Sequence, residues 1–281
     1  MTILITGGNG YLARNLTPLF KNVGHTVLSP SHSELDLLNC YEVYDYFNQN
    51  RIDAVIHTAI KGGKRTKKDS FEEVYTPNIQ MFEHLVSAME SEYIPLIIFG
   101  SGAEFDKRTD ICKIKESTIF NRWPIDPYGL SKNIISRRSL DLKNVYILRL
   151  FGCFNYDEEE NRFIKKSISN LNNGLPIEIH KDMEMDFFYL DDVFIVTNYI
   201  LNHDGPRNIN LVYDEKHTLS SISRIIQKHT IGYYPSYKLN EAGMGNSYTG
   251  DGSVLSCLPI YEKLIGLEEG ICRTIDKLWK K

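Results

Sequence analysis

The first thirteen residues constrain this chain more than any other stretch. Ile3-Leu4-Ile5-Thr6 is a short apolar, β-rich run closed at once by glycine, which reads as a buried strand. From about residue 11 to 23 apolar side chains return at helical spacing (Leu12, Leu16, Leu19, Phe20, Val23), and Gly24 stops them. The junction, Thr6-Gly7-Gly8-Asn9-Gly10-Tyr11-Leu12-Ala13, contains GxxGxxA. Gly7 permits a tight turn, Gly10 lets a pyrophosphate approach the backbone, and the small Ala13 lets the helix pack close to the strand. The helix N-terminus then turns its free N–H groups toward the phosphates. Such a turn also occurs with no ligand, but its place between a clear strand and a clear helix favours a dinucleotide.

The same rhythm continues. Strands are predicted at 25–29, 54–59, 94–99 and 145–150, and helices at 41–50, 78–90 and after Tyr128. That alternation implies an α/β, Rossmann-type doubly wound parallel sheet. Beyond about residue 152 the rhythm weakens: a polar stretch, 157–162, leads into a helix to about 172, a sixth strand is predicted at 209–212, and the remainder reads as helical pieces. We expect a nucleotide-binding domain over 1–152, with a segment of about 186–212 returning to it. A smaller C-terminal substrate lobe is expected from 153–185 and 213–281. The length of 281 residues suits either one large α/β unit or two lobes.

Composition narrows the function. A net charge of −4 offers no basic footprint for nucleic acid, and no apolar run approaches the roughly 20 residues that span a bilayer. The five cysteines are scattered, without CxxC pairing, so neither a disulfide framework nor a metal site is expected. The N-terminus lacks the pattern of a signal peptide, and a cytoplasmic setting is expected.

Tyr128-Gly129-Leu130-Ser131-Lys132 is YxxxK, with the phenol and the amine on one helix face. A nearby ammonium favours a phenolate, so such a tyrosine can exchange a proton near neutral pH. Together with GxxGxxA, this motif resembles the short-chain dehydrogenase/reductase superfamily. The chain length and second lobe are similar to its extended branch, the NAD(P)-dependent nucleotide-sugar epimerases, dehydratases and reductases. The segments 34–39, 50–55 and 61–63 resemble the GDP-fucose synthase-type reductases, over about the first 150 residues.

The resemblance implies a catalytic set of Ser101, Tyr128 and Lys132. Ser101 ends the fourth strand, and its hydroxyl would polarise a substrate carbonyl; a plain turn serine is the alternative. Gly102, Ala103 and Arg162 would line the substrate. The cofactor would lie along Gly7, Gly10, Tyr11, Leu12, Arg14, Ser29, Ser31, Asp36, Leu37, Thr58, Ala59, Asn78, Tyr128 and Lys132. Arg14 reads equally as a solvated helix residue, and Asp36 and Asn78 as helix N-caps. An acid at the end of the second strand would favour NAD. Leu28-Ser29-Pro30-Ser31-His32 has none, which favours NADP with NAD possible. A homodimer is usual for such enzymes.

Departures from the family pattern select among its reactions. The position of an epimerising cysteine is Ala103, and that of the partner histidine is Arg162, a guanidinium that cannot serve as a neutral base. The Asp-Glu pair of a dehydratase is replaced by Gly102-Ala103, and the arginine that binds the sugar diphosphate by Met185. Lys165, Lys166 or Arg162 could substitute for that arginine or form a solvated face. Asp191 and Asp192 read as fold-stabilising rather than as a metal pair, and His57 as a buried imidazole. What survives is hydride transfer with Tyr128 as proton donor, which favours NADP-dependent reduction of the 4-keto group of a nucleotide-linked 4-keto-6-deoxy sugar. A 4-epimerase holding NAD and an epimerase-reductase of the GDP-fucose synthase type are enzymatic alternatives; an NADP-sensing binding protein is the non-enzymatic one.

Overall fold

A computed structural model describes residues 1–63, 69–89, 93–230 and 237–279. In chain order the main elements begin with β1 (Thr2–Thr6), α1 (Tyr11–Asn22), β2 (Thr26–Leu28), α2 (Cys40–Gln49), β3 (Ala54–His57), α3 (Thr76–Ala88) and β4 (Leu96–Ser101). There follow β5 (Ile111–Ile114), α4 (Pro127–Ser139), β6 (Val145–Leu150), β7 (Cys153–Phe154), α5 (Phe163–Asn172), β8 (Ile177–Asp182), β9 (Phe188–Tyr189), α6 (Leu190–Asn202) and β10 (Asn208–Leu211). The chain continues through α7 (Leu219–Thr230), β11 (Tyr237–Met244), β12 (Tyr248–Gly250), α8 (Ser253–Ser256) and α9 (Leu267–Leu278).

Among the described residues, six strands form one sheet in the order β10-β6-β4-β3-β1-β2. β1 pairs in parallel with β2 on one side, Leu4 opposite Leu28, and with β3 on the other, Leu4 opposite Val55. β3 pairs in parallel with β4, Ile56 opposite Ile97. The chain thus leaves β1 for one neighbour and returns to the other side for β3. In such sheets that reversal opens a crevice at the carboxyl ends of the strands. β1, β3 and β4 are buried almost throughout, as expected of strands covered on both faces. Met81, Phe82 and Leu85 of α3 and Ile135 of α4 pack with Leu4, Val55, Leu96 and Ile147.

The chain divides into two compact units. The first comprises Met1–Arg108, Lys115–Arg149 and Val196–Ile209, and the second Thr109–Ile114, Leu150–Ile195 and Asn210–Lys281. The returning segment is therefore shorter than the 186–212 expected, and 109–114 leaves the first unit. Both differences have local causes. β5 pairs with β12, so it belongs with the second unit. Residues 186–192 are tied to that unit by their carboxylates. Asp186 accepts from Lys216 Nζ at 3.0 Å and from the Gly250 N–H at 2.8 Å. Asp192 accepts from Tyr213 Oη at 2.5 Å and from the N–H groups of Ile265 and Gly266 at 2.7 and 3.0 Å. Asp192 is thus fully engaged in holding the fold, and no group of metal-ligating side chains occurs among the described residues.

The second unit is less helical than the sequence suggests. β8 pairs with β11, and β7 with β9, beside a core of Phe154, Ile164, Ile168, Ile179, Ile222, Ile226 and Ile271. The sequence does not mark β11, because beyond Tyr237 its residues are exposed and its pairing is with β8, so no apolar alternation appears. No described helix is long and apolar enough to cross a membrane.

The glycine turn explains its own composition, with one addition. Gly7 has φ +70, and a Cβ there would lie 2.9 Å from Ala59 Cα. Gly8, an unconstrained position in the motif, is the tighter one: a Cβ would lie 2.2 Å from the Ser29 carbonyl oxygen, while the Gly8 N–H donates to the Pro30 carbonyl at 2.9 Å. Backbone cannot yield as a side chain can. Gly8→Ala is expected to cost about 2–4 kcal/mol of stability, read from chemical denaturation midpoints. A variant as stable as the parent would contradict this packing.

Candidate active site

The carboxyl ends of β1, β3 and β4 and the start of α4 carry the site, all within the first unit. β1 ends at Thr6, whose Oγ1 accepts from the N–H groups of Thr58 and Ala59 at 3.2 and 3.3 Å. Its own hydrogen is therefore directed to His57 Nδ1, 2.9 Å away. That assigns the neutral imidazole its proton on Nε2. Burial, and then the positive charge of Lys132, push the His57 pKa down to about 3. His57 is a structural imidazole holding two strand ends together. Thr58 Oγ1 closes the same junction by donating to the Thr6 carbonyl at 2.7 Å.

α1 starts directly beyond the turn. Gly10 caps it without a side chain, and its first turn contains no acid. An anion therefore meets no competing carboxylate at this helix N-terminus. Gly10 N–H donates to the Gly7 carbonyl at 2.7 Å, Tyr11 and Leu12 are half-buried, and Ala13 is fully buried against the sheet. Arg14 is exposed and folds back, Nη1 donating to the Asn9 carbonyl at 3.3 Å.

At the end of β2 the sequence reading needs a correction. Leu28–His32 contains no acid, but Glu34 folds back on it. Its carboxylate accepts from the Ser31 N–H at 2.7 Å and from Ser31 Oγ at 2.8 Å, and these bonds hold the Glu34 pKa below the usual carboxylate range. Ser31 Oγ also meets Ser33 Oγ at 2.9 Å. Ser29 Oγ is buried with no partner among the described residues. Asp36 is not a helix N-cap: α2 is capped by Asn39, and Asp36 accepts from the Leu38 N–H at 2.9 Å, beside the buried Leu37.

Asn78 is likewise no cap. α3 begins at Thr76 with Pro77, directly after a π turn, Phe71–Tyr75, so Asn78 lies inside the first turn and is buried. The predicted end of this helix, Glu90, lies outside the described residues. The Asn78 amide accepts from the Lys61 N–H at 2.8 Å and donates to the Lys61 carbonyl and to Ser131 Oγ, both at 3.1 Å. It thereby joins the loop after β3 to α4.

α4 is capped by Asp126, which accepts from the Gly129 N–H at 2.8 Å, with Pro127 at its first position. Tyr128 and Lys132 lie one turn apart. Tyr128 is half-buried; its ring lies against Gly63, where a Cβ would sit 3.0 Å from Cε2. Lys132 is buried, and Nζ donates to the Phe99 carbonyl at 2.7 Å. Burial brings its pKa down to about 8, while the Glu104 carboxylate pulls the other way. Phe99 and Ser101 stand two residues apart on β4, so Lys132 and Ser101 address one strand end. Ser101 Oγ accepts from the Ala103 N–H at 3.2 Å in a short 3₁₀ turn, Gly102–Glu104. Ser101, Gly102 and Ala103 are all buried.

Two residues of this site escaped the sequence reading. Glu104 and Arg149 are wholly buried, and Arg149 Nε donates to Glu104 Oε2 at 2.8 Å. Buried charges of opposite sign were the available signal, but nothing in the spacing links a turn to β6. Arg162 lies in the second unit, ahead of α5. Its Nε is 3.8 Å from Glu158 Oε2, while Lys165 and Lys166 pair with Glu160 and Glu178. These three cations face carboxylates of their own unit.

A family profile described as the NAD dependent epimerase/dehydratase family matches residues 3–211. GDP-L-colitose synthase of Yersinia pseudotuberculosis is 26% identical over 98% of this chain and 96% of that protein. Among solved structures, GDP-mannoheptose C4 reductase from Campylobacter jejuni with NADP bound is similar at a TM-score of 0.79 and 16% identity, over 98% of this chain and 97% of that one. dTDP-4-dehydrorhamnose reductase from Bacillus anthracis, in complex with NADP, gives 0.80 and 17%, covering 98% of both chains. The structural likenesses show the shared Rossmann-like fold.

Gly63 has φ +74, and its neighbour is the phenol ring. Gly63→Ala is expected to leave the protein folded, at a strain cost of about 1–2 kcal/mol. It should displace the Tyr128 ring, seen as altered ring shifts in tyrosine-labelled protein. Unchanged shifts would mean that this contact does not position the ring.

Proposed function

The chain belongs to the NAD dependent epimerase/dehydratase family, and from that premise we propose that it reduces the 4-keto group of a nucleotide-linked 4-keto-6-deoxy sugar, using NADPH. One observation carries the reading. The hydroxyl–phenol–amine set of Ser101, Tyr128 and Lys132 is complete, while the residues after Ser101 are Gly102 and Ala103. Neither offers an acid or a thiol for removing a carbon-bound proton or expelling water. The C4 reductase and the 4-dehydrorhamnose reductase of the same fold support the direction.

The residues present fit the cofactor. Gly7, Gly8 and Gly10 form a turn whose Cβ positions are filled by backbone, leading to an α1 N-terminus free of acids. Bound NADPH supplies the hydride. Ser101 polarises the substrate carbonyl from the end of β4. Tyr128 gives its proton to the carbonyl oxygen, and the ammonium of Lys132 stabilises the phenolate left behind. Asn78, bonded to both Lys61 and Ser131, keeps the loop and α4 in register.

Ser29 and Ser31 would serve the 2′-phosphate, and Glu34 would have to leave Ser31 to admit it; NAD is the alternative carrier for a site in which Glu34 stays. A homodimer and a cytoplasmic setting belong to the same reading and rest on the resemblance alone. Arg162 is kept as a substrate residue on the same footing.

The test is NADPH oxidation against UDP-, GDP-, dTDP- and CDP-linked 4-keto-6-deoxyhexoses, with products identified by NMR. Turnover with none of them, or dehydration of a 4-hydroxy sugar, would overturn the reading. Tyr128→Phe is expected to reduce kcat by about 10²-fold or more while the cofactor Kd stays within about threefold of the parent; a variant that retains turnover would exclude Tyr128 as donor.

The pH profile gives an independent check. Lys132 must be protonated to stabilise the phenolate, and its pKa is about 8. The reductive kcat should therefore hold below that pH and fall above it. A kcat flat to pH 10 would remove Lys132 from the proton path.

A further inference from the structure

Behind Ser101 lies a buried charge that the mechanism above does not use. Glu104 ends the 3₁₀ turn after β4, and its carboxylate has no exposure. Oε1 accepts from the Ser101 N–H at 2.7 Å. Oε2 accepts from Ser136 Oγ at 2.7 Å and from Arg149 Nε at 2.8 Å. The Glu104 carbonyl accepts from Asn133 Nδ2 at 2.9 Å. Arg149 is itself wholly buried on β6, with Nη1 on Asn208 Oδ1 at 2.9 Å. Ser136 lies one turn beyond Lys132 on α4, so Tyr128, Lys132 and Ser136 follow each other on one helix face. One carboxylate thus binds the backbone of the substrate-polarising serine, the helix of the proton donor, and a neighbouring strand.

We propose that Glu104 is a positioning residue for the proton-transfer site, fixing Ser101 through one oxygen and keeping negative charge beside Lys132. The proposal deepens the reductase reading and rests on it for its kinetic consequence, but its electrostatic part concerns the unliganded protein alone. A buried carboxylate is costly, and Arg149 and Ser136 offset that cost. Burial disfavours the Lys132 ammonium, and Glu104 is the carboxylate that opposes this. Other titratable groups around α4 are accounted for. His57 on β3 is neutral, and Glu83 of α3 pairs with Arg138 at 3.6 Å. Arg137 donates to Asn133 Oδ1 and stacks on Trp123. Glu72 and Glu73 of the π turn are exposed, and Glu116 is buried in the 3₁₀ turn Glu116–Phe120.

The test is Glu104→Gln, which keeps an acceptor for the Ser101 N–H and removes the charge. The Lys132 titration is followed by the ¹³Cε shift of labelled lysine in the cofactor-free protein, assigned with Lys132→Met. The Lys132 pKa is expected to fall by about one pH unit, and the alkaline limb of the kcat profile to move by the same amount, with the KM for NADPH little changed. If leaving Arg149 unbalanced unfolds the single variant, Glu104→Gln/Arg149→Met replaces the ion pair with a neutral one. The double variant should show a fall in the same direction, reduced by the loss of the opposing Arg149 charge. A lower melting temperature with an unmoved Lys132 titration would make Glu104 merely structural and overturn the proposal. A shifted titration in a protein that reduces no 4-keto sugar would uphold the electrostatic role and overturn the reductase reading instead.

Discussion

An amine without access to water has to be compensated by the protein, and the active-site half of this fold is organised around that requirement. Lys132 reaches from α4 to the Phe99 carbonyl at 2.7 Å. That bond anchors α4 to the end of β4, the strand that also carries Ser101. If the amine were solvated, its pKa would sit near 10.4 and it would carry its charge at any physiological pH. Burial brings the value to about 8, into the range where loss of the proton competes with holding it. The same burial that makes the lysine useful makes it dependent on a nearby carboxylate.

The cofactor side of the first unit solves a different problem with backbone and one hydroxyl. β1 and β3 must end close together for the crevice to form between them. Thr6 Oγ1 serves three partners there, taking two N–H groups and giving its proton to His57. Gly7 allows Ala59 to approach within a distance no Cβ would tolerate, and Gly8 does the same for Ser29. Charge plays little part at this end, which leaves the start of α1 open to an anion. The two halves of the site therefore rest on different physics: steric closeness for the cofactor, and balanced burial of charge for proton transfer.

How much of this was legible in the sequence follows from range. The strand, turn and helix at the N-terminus, the phenol–amine pair one turn apart and the serine at the end of β4 are local patterns, and residue spacing reveals them. Glu104 and Arg149 are 45 residues apart and join only when β4 and β6 enter one sheet. Glu34 was missed by a smaller margin. It lies just past the strand end where an acid was sought, and a tight turn brings it back onto Ser31. Asn78 is legible from the resemblance, but a helix cap reads equally well from the sequence, because the π turn before α3 lengthens the helical run by a turn that periodicity cannot anticipate. In the second unit the edge strand β11 has no apolar face to show, so its pairing with β8 left no mark in the residue order.

The absences around Ser101 then restrict the chemistry more than the presences do. A phenol, an ammonium and a hydroxyl can move a proton to or from an oxygen, and all three occur as well in enzymes that epimerise or dehydrate. Epimerisation at a carbon beside the keto group and dehydration also need a second group to take a proton from carbon or to protonate a departing hydroxyl, whereas epimerisation at carbon 4 itself, by hydride removal and return, does not. Here the turn after Ser101 offers a hydrogen, a methyl group and then a carboxylate. That carboxylate accepts from the Ser101 N–H on one oxygen and from Ser136 Oγ and Arg149 Nε on the other. Glu104 is the nearest acid in sequence to where a dehydratase keeps its pair, yet its oxygens face inward onto donors. To carry a second proton it would have to exchange those hydrogen bonds in a site closed to water. On the proposed reading, the turn after Ser101 serves to hold that serine in place, and hydride transfer with Tyr128 as the single proton donor is the chemistry that this arrangement favours.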